Sequence, residues 1–250
     1  MGIHKKSKHE IMLMREAGNV VALVHAAMKD AVKEGVSTLE LNDLAFKIIK
    51  QNKADPTFLG YHGYPFSICA SVNEQVVHGF SSKDTILKNG DIISIDIGAT
   101  YKGFVGDSAW TYPVGEISAE KKMLLKATEE ALFAGLEHMK HNDMLENVAG
   151  AIEDVAKKYN LGIVRQYGGH GVGRQMHEDP FVFNYRTHNK LILEKGMVIA
   201  IEPMLNLGSD DVHVLDDDWT VVTDDGKPSA HFEHTVHVTE EGPDILTKLL

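Results

Sequence analysis

Two ten-residue stretches with the same pattern constrain the fold of this chain most strongly. Residues 87–96 (LKNGDIISID) and 193–202 (LEKGMVIAIE) lie 106 positions apart, and each runs from a glycine turn through an apolar strand to a carboxylate. At the same offset, Leu39 in one predicted helix matches Leu145 in another. The repeat predicts one α/β (α+β) domain over residues 1–250, with pseudo-twofold halves at about 10–115 and 116–245. We expect antiparallel strands inside and helices outside.

Capping and periodicity signals place the elements of the two halves. Ser7 with Glu10, and Ser37 with Glu40, form the capping-box pattern of a helix N-terminus. The first helix is expected to stop near Gly35 and the second near residue 50. Further helices are predicted over 118–140 and 144–159, and strands over 92–98, 104–112, 197–202 and 232–238.

The composition narrows the class of protein. The chain has 25 Lys and Arg against 36 Asp and Glu, a formal net charge of −11, which argues against binding nucleic acid through phosphate contacts. Cys69 is the one cysteine, so no intramolecular disulfide is expected. The sequence has no run of about 18 apolar residues and no signal-peptide pattern. We therefore expect a cytoplasmic protein with no membrane partner and no nucleic-acid role.

A carboxylate ends each copy of the repeated strand. Side chains alternate between the two faces of a strand, so Asp96 shares a face with Ser94, while Ile93 and Ile95 form the apolar face. Asp has a poor propensity for such a position. Glu202 occupies the equivalent position in the second copy.

Two further acids fit the same pattern. Asp107 follows Asp96 across a glycine-containing turn, and Glu233 lies in a stretch of alternating apolar residues. One interpretation is that each acid is solvated on an exposed sheet face. If the four carboxylates cluster, they repel one another and burial raises their pKa values, yet few Lys or Arg residues lie near them in sequence. The pattern favours a divalent metal ion as the compensating charge.

A glycine-rich segment adds one histidine to these acids. Residues 167–173 (YGGHGVG) match neither a P-loop nor a dinucleotide-binding pattern, and His170 is their functional side chain. The complete candidate set is Asp96, Asp107, His170, Glu202 and Glu233. Such an oxygen-rich set suits Mn, Fe(II), Co or Zn in a two-metal site, whose charge would lower the pKa of a shared water.

The strings around these residues resemble the methionine aminopeptidases, a metallopeptidase family with the pita-bread fold. The matching stretches are SVNE at 71–74 with His78-Gly79, DIISID at 91–96, GHGVG at 169–173 with His177-Glu178, AIEP at 200–203 and EHT at 233–235. They extend over nearly the whole chain, and the form expected is the short bacterial type 1. The resemblance implies removal of the initiator methionine from nascent polypeptides whose second residue is small. It also implies that the five residues bind two divalent ions.

The resemblance implies roles for individual side chains. Glu202 would bind metal and also move a proton from the attacking water to the leaving amine. His177 would hydrogen-bond the developing oxyanion or the substrate carbonyl, and His78 would lie beside the scissile amide. The implied wall of the methionine pocket is Phe58, Tyr61, His62, Tyr64, Cys69, His78, Met176, His177 and Trp219.

Two of these pocket residues depart from the family pattern. Met176 stands where relatives often carry Phe, and Phe58 where some carry Cys. For Phe58, Cys69 and Met176, the alternative is that they only pack in the core. The resemblance also allows a monovalent cation near Asn73 and Ser229. We expect a monomer that acts on nascent N-termini beginning with Met, and contact with the ribosome is left open.

Two other functions are compatible with the same residues. A proline-specific aminopeptidase or dipeptidase on this fold would have similar ligands, but such enzymes usually carry an additional N-terminal domain. A metal-free binding protein could keep the fold, but such proteins lose ligand residues, whereas all five are present here.

Overall fold

Four helices flank the sheets in the computed structural model of this protein, which describes residues 2–248. They are α1 (Lys8–Ala31), α2 (Thr38–Gln51), α3 (Ala119–Leu136) and α4 (Leu145–Lys158). Both predicted capping boxes are formed, with Ser7 and Ser37 as N-caps. The predicted stop at Gly35 is wrong, because the backbone already leaves the helical region at Val32 and Gly35 lies in the following turn with φ +86°.

Fifteen strands, several of them very short, are found within the described residues. They are β1 (Asp55–Pro56), β2 (Ile68–Val72), β3 (Gln75–Val77), β4 (Ile92–Tyr101), β5 (Phe104–Pro113), β6 (Gly162–Ile163), β7 (Gly169–Gly171), β8 (Glu178–Val182), β9 (Val198–Ile201), β10 (Met204–Asn206), β11 (Val212–Val214), β12 (Val221–Thr223), β13 (Ser229–His231), β14 (His234–Val238) and β15 (Pro243–Ile245). A 3₁₀ turn covers Tyr61–Gly63. Strand pairing is antiparallel throughout these elements.

The strands form two main sheets and two small ones. In the first main sheet, β4 pairs with β5 along one edge and with β2 and β1 along the other. The second main sheet has the order β15-β14-β9-β7-β8. The smaller sheets have the orders β13-β10-β6 and β11-β12-β3.

Each half of the repeat has its own apolar core between helices and a main sheet. Ile93, Ile95 and Ile97 of β4 are fully buried in a core that includes α1 and α2 residues, as strand parity predicted. Ile199 and Ile201 of β9 belong to the corresponding core with α3 and α4 residues. Strands β4 and β9 begin at residues 92 and 198, the offset of the sequence repeat. The domain limits themselves stay a prediction, and residues 1, 249 and 250 lie outside the described part.

The two halves are joined along β5 and β14. The Glu233 amide donates a hydrogen bond of 2.8 Å to the Ala109 carbonyl. The Thr235 hydroxyl donates to the Asp107 carbonyl at 2.8 Å and accepts from the Asp107 amide at 3.1 Å. The Ser108 hydroxyl donates to the Glu233 carbonyl at 2.6 Å. This junction brings the acids of the two halves together.

Helix α1 is long and apolar enough to cross a membrane by length and composition alone. In the structure, 56% of its most apolar window is buried. Its residues Val20, Val21 and Val24 pack in the core with β4. The core helix of a globular domain passes the same length and composition test, and this packing accounts for the apolar residues of α1.

Candidate metal centre and substrate cavity

One cavity of about 680 Å³ contains every residue predicted to bind the divalent ions or the substrate. Its lining includes the proposed ligands Asp96, Asp107, His170, Glu202 and Glu233, together with Phe58, Tyr61, His62, Tyr64, Cys69, His78, Met176, His177 and Trp219. These residues come from segments far apart in sequence, and the fold brings their side chains together in one cavity.

Asp96 and Asp107 reach the cavity from the β4–β5 hairpin. Asp96 pairs with Ala109 across the hairpin, and Asp107 pairs with Gly98, so the two acids are diagonal neighbours on one face. On the other side of β4, Asp96 pairs with Cys69 of β2. Both acids therefore face one side of the hairpin.

The other candidate ligands come from the second main sheet. His170 is the middle residue of β7 and pairs with Ala200 of β9. Glu202 and Glu233 were predicted inside strands, but Glu202 follows the end of β9 and Glu233 precedes the start of β14. Both side chains line the cavity. The buried Asn184 amide donates to the Glu202 carbonyl at 3.0 Å and fixes its backbone.

The glycines around His170 permit close packing of strands. A Cβ atom on Gly169 would overlap the Ala200 carbonyl, and one on Gly171 would overlap the Asp179 carbonyl. The glycine backbone therefore closely approaches the backbone of neighbouring strands. Replacing these glycines would displace His170 from its position in the sheet.

Three of the five candidate ligands form a compact buried group. Ligand atoms of Asp107, His170 and Glu233 lie within 4.8 Å of one another. His170 Nε2 lies 3.6 Å from Asp107 Oδ2 and 3.4 Å from Glu202 Oε1. These separations are suited to atoms that share a cation.

The charges of this group are unbalanced without a cation. Burial, and then the charges of neighbouring acids, raise the pKa values of Asp107 and Glu233 well above the ordinary range. Burial likewise raises the pKa of Glu202. Burial lowers the pKa of His170 to about 3, which keeps its imidazole neutral and able to bind metal. Within the described residues, no Lys or Arg lines the cavity.

Unpaired buried oxygens show that these residues fit a metal. Asp96 Oδ1, Asp107 Oδ1 and Glu233 Oε1 are buried and have no hydrogen-bond partner in the described part of the chain. Leaving such atoms unpaired is costly, and carboxylate oxygens together with an imidazole nitrogen are ordinary ligands of Mn, Fe(II), Co and Zn.

The apolar side of the cavity is built from aromatic rings that also belong to a core cluster. Phe58, Tyr64, Cys69 and Met176 are buried there, so they pack in the core and line the cavity at once. The Tyr64 ring contacts Trp219 edge-to-face, with centroids 5.0 Å apart. Its hydroxyl donates to backbone carbonyls of residues 68 and 79, which fixes the ring.

His78 and His177 lie on different parts of the cavity wall. His78 has φ +59°, a strained left-handed backbone, and its ring contacts Tyr167 and Trp219. His177 Nδ1 lies 2.7 Å from the Tyr61 hydroxyl, and its ring contacts that of His170 with centroids 4.4 Å apart. Burial is the main cause that lowers the pKa of both histidines, so neutral imidazoles face the cavity near neutral pH.

Asn73 and Ser229 are neighbours, as a shared cation site requires. The Ser229 amide donates to the Asn73 carbonyl at 2.9 Å. The Lys121 ammonium also donates to the Asn73 side-chain oxygen at 2.9 Å and to the Gly90 carbonyl at 2.7 Å. A fixed positive charge therefore already contacts the side chain of Asn73.

His231 was not among the predicted site residues. This residue ends β13, is 1% exposed and lines the cavity, with Nε2 3.4 Å from Glu202 Oε2. It lies two positions before Glu233 in extended backbone, so period-two alternation was a signal that could have found it.

The sequence profile of metallopeptidase family M24 matches residues 12–240. The chain belongs to metallopeptidase family M24. The buried Asp107–His170–Glu233 group and membership of a metallopeptidase family together indicate that the protein binds divalent metal.

Relatives that match this chain over nearly their whole length are named methionine aminopeptidases. The methionine aminopeptidase 1 of Bacillus subtilis is 52% identical over 245 residues, 98% of each chain. That of Mycobacterium tuberculosis is 47% identical over 98% of this chain and 95% of its own. The crystal structure of the Thermotoga maritima methionine aminopeptidase has a TM-score of 0.97 at 42% identity, and covers 99% of this chain and 100% of that one. The predicted resemblance and the pita-bread fold are confirmed.

A more distant solved structure is similar in fold alone. Prolidase from Pyrococcus furiosus has a TM-score of 0.78 at 23% identity, and the match covers 66% of that chain. The comparisons therefore favour the methionine aminopeptidases over the proline-specific enzymes.

Proposed function

We propose that this metal-dependent hydrolase removes the N-terminal methionine from nascent polypeptides whose second residue is small. The observation that carries the proposal is the joint placement of a buried Asp-His-Glu group and an aromatic pocket in one cavity. The full-length relatives named methionine aminopeptidase support it.

Asp96, Asp107, His170, Glu202 and Glu233 would hold two divalent ions. The acids of the β4–β5 hairpin and those near the ends of β9 and β14 line the same cavity, and His170 would supply the nitrogen ligand. Co, Mn, Fe(II) and Zn all accept this set. When bound, the ions supply an activated water and polarise the peptide carbonyl.

Glu202 would bind metal and transfer the proton to the leaving amine. Its carboxylate is 12% exposed, so it is open to the cavity, and burial raises its pKa. A carboxylate with a raised pKa can accept a proton and release it near neutral pH, as a proton shuttle requires.

His177 and His78 would position the peptide bond. The Tyr61 hydroxyl beside His177 Nδ1 orients the ring, and the other ring nitrogen is available to hydrogen-bond the substrate carbonyl. His78, on the facing wall with Trp219, would contact the scissile amide.

The pocket residues would select methionine by shape and soft contacts. Phe58, Tyr64, Cys69, Met176 and Trp219 present apolar or aromatic surface to the cavity. An unbranched thioether fits such a surface and gains sulfur–aromatic contacts. Tyr61 and His62, on the 3₁₀ turn, would bound the pocket near its opening.

The remaining assignments concern ions, assembly and location. A monovalent cation at Asn73 and Ser229 would have to bind against the repulsion of the Lys121 ammonium, which already contacts the Asn73 side chain. The enzyme would work as a monomer in the cytoplasm, as one domain, on chains that are still being made at the ribosome.

A peptide panel tests the proposal. We expect the metal-loaded enzyme to release methionine from Met-Gly-Met-Met, but neither methionine from Met-Leu-Met-Met nor the first residue of matched peptides that begin with Leu or Pro. Liberated amino acids would be measured by chromatography. Cleavage of the Leu or Pro peptides would instead indicate a different peptidase on this scaffold. A folded, metal-loaded protein that cleaves none of them would favour a binding protein.

A further inference from the structure

A histidine outside the predicted ligand set contacts the proposed proton shuttle. The two carboxylate oxygens of Glu202 face different imidazoles: Oε1 lies 3.4 Å from His170 Nε2, and Oε2 lies 3.4 Å from His231 Nε2. His231 Nε2 is buried and has no hydrogen-bond partner within the described residues. A buried imidazole nitrogen without a partner needs an explanation.

The backbones on both sides of this contact are fixed. The His231 amide donates to the Thr111 hydroxyl oxygen at 2.9 Å, and that hydroxyl donates to the His231 carbonyl at 2.9 Å. His231 also pairs with Met204 across β13 and β10. Asn184 fixes the Glu202 backbone. The 3.4 Å separation between these two positioned residues is slightly longer than an ordinary N–H···O hydrogen bond.

His231 approaches one carboxylate oxygen of Glu202, and His170 approaches the other. His231 Nε2 lies 3.4 Å from Oε2, the oxygen that does not contact His170. An N–H donor there would hold Oε2 and leave Oε1 turned toward His170. Partners of this kind orient metal-binding carboxylates.

We propose that His231 is a positioning residue, whose Nε2–H donates to Glu202 Oε2 and fixes the carboxylate for metal binding and proton transfer. This inference rests on the role of Glu202 in the proposed function. It adds a residue that acts through Glu202 and does not itself contact the reacting atoms.

Three substitutions of His231 test this role, because they differ in side-chain length and in whether they carry an N–H donor. His231→Gln keeps an N–H donor at similar reach, His231→Asn has a shorter donor, and His231→Leu has none. We expect kcat on Met-Gly-Met-Met to fall about 10- to 100-fold in the Leu and Asn variants, with KM nearly unchanged, and to recover most of the loss in the Gln variant. His213→Gln, at an exposed histidine outside the cavity, should behave as wild type.

Cobalt absorption provides a readout that needs no substrate. We expect the visible spectrum of the cobalt-loaded protein to change in the Leu and Asn variants and to match wild type in the Gln variant, with the number of bound ions unchanged. If the Leu variant does not fold, the comparison of the Asn and Gln variants still tests the positioning role of His231. Wild-type kcat and spectrum in the Asn variant would overturn the proposal. Loss of a bound ion in the Asn and Gln variants would make His231 a ligand and would also overturn it. The spectrum tests His231 even if the peptide panel contradicts the proposed substrate.

Discussion

Replacing Glu202 with glutamine is expected to lower kcat for methionine release by about 10³-fold, while the protein stays folded. The amide has nearly the same volume as the carboxylate, but it cannot accept the proton that the leaving amine needs. It also cannot match the carboxylate as a metal ligand at the position that faces His170. The fold should survive, because the backbone of Glu202 is held by Asn184 and by the end of β9.

A control variant separates the loss of kcat in Glu202→Gln from the effect of removing any negative charge. Glu116→Gln changes an acid whose side chain is 89% exposed, and its kcat should equal that of wild type. Circular dichroism and the thermal midpoint of the metal-free protein would establish that both variants are folded. A Glu202→Gln enzyme with kcat within a few-fold of wild type would show that another group moves the proton.

Asp107→Asn is expected to weaken metal binding strongly. Removing a residue that only hydrogen-bonds to a metal ligand weakens binding roughly 10- to 100-fold, and removing a ligand should cost more. Asp107 is 2% exposed and belongs to the compact ligand group, so the substitution removes a buried negative charge beside the ion. At an ion concentration of 100 times the wild-type Kd, bound metal stabilises the wild type by about 2.7 kcal/mol, and a 100-fold weaker variant by about 0.4 kcal/mol.

Two measurements check this result. Metal content after dialysis gives the occupancy, and the metal-dependent shift in thermal midpoint gives the affinity. Asp84→Asn, at an exposed acid outside the cavity, is the matched control and should bind metal as wild type does. Unchanged metal content in the Asp107 variant would remove this residue from the ligand set.

Strand parity was sufficient to predict one half of the candidate site. Alternation within 92–98 separated Asp96 from the isoleucines of the core face, and the structure has that arrangement. The repeat then pointed to Glu202 at the matching position. Both inferences worked because each depends on local sequence: a buried strand has only two faces.

The rest of the site depends on long-range pairing that no local pattern encodes. Glu233 reaches the cavity because its amide bonds to Ala109 across the junction of the two halves. His231 contacts Glu202 because β13 pairs with β10, two very short strands. The end of α1 was misplaced for a different reason: Gly35 serves the turn after the helix and does not cap it.

The departures from the family pattern in the methionine pocket are accommodated in the structure. Phe58 packs against the backbone of Gly98, where an added Cβ would lie 3.0 Å from the ring. Met176 is buried in the same cluster. Both side chains therefore shape the pocket through the core behind it, which motif spacing alone does not predict.

Metal-restored release of methionine by chelator-stripped protein tests the central claim most directly. The stripped enzyme would be assayed on Met-Gly-Met-Met without metal and after addition of Mn, Co, Fe(II) or Zn, with folding followed by circular dichroism. We predict no release without metal, and recovery with at least one of these ions. Full activity in the stripped, metal-free enzyme would contradict the account. So would a folded protein that no ion restores.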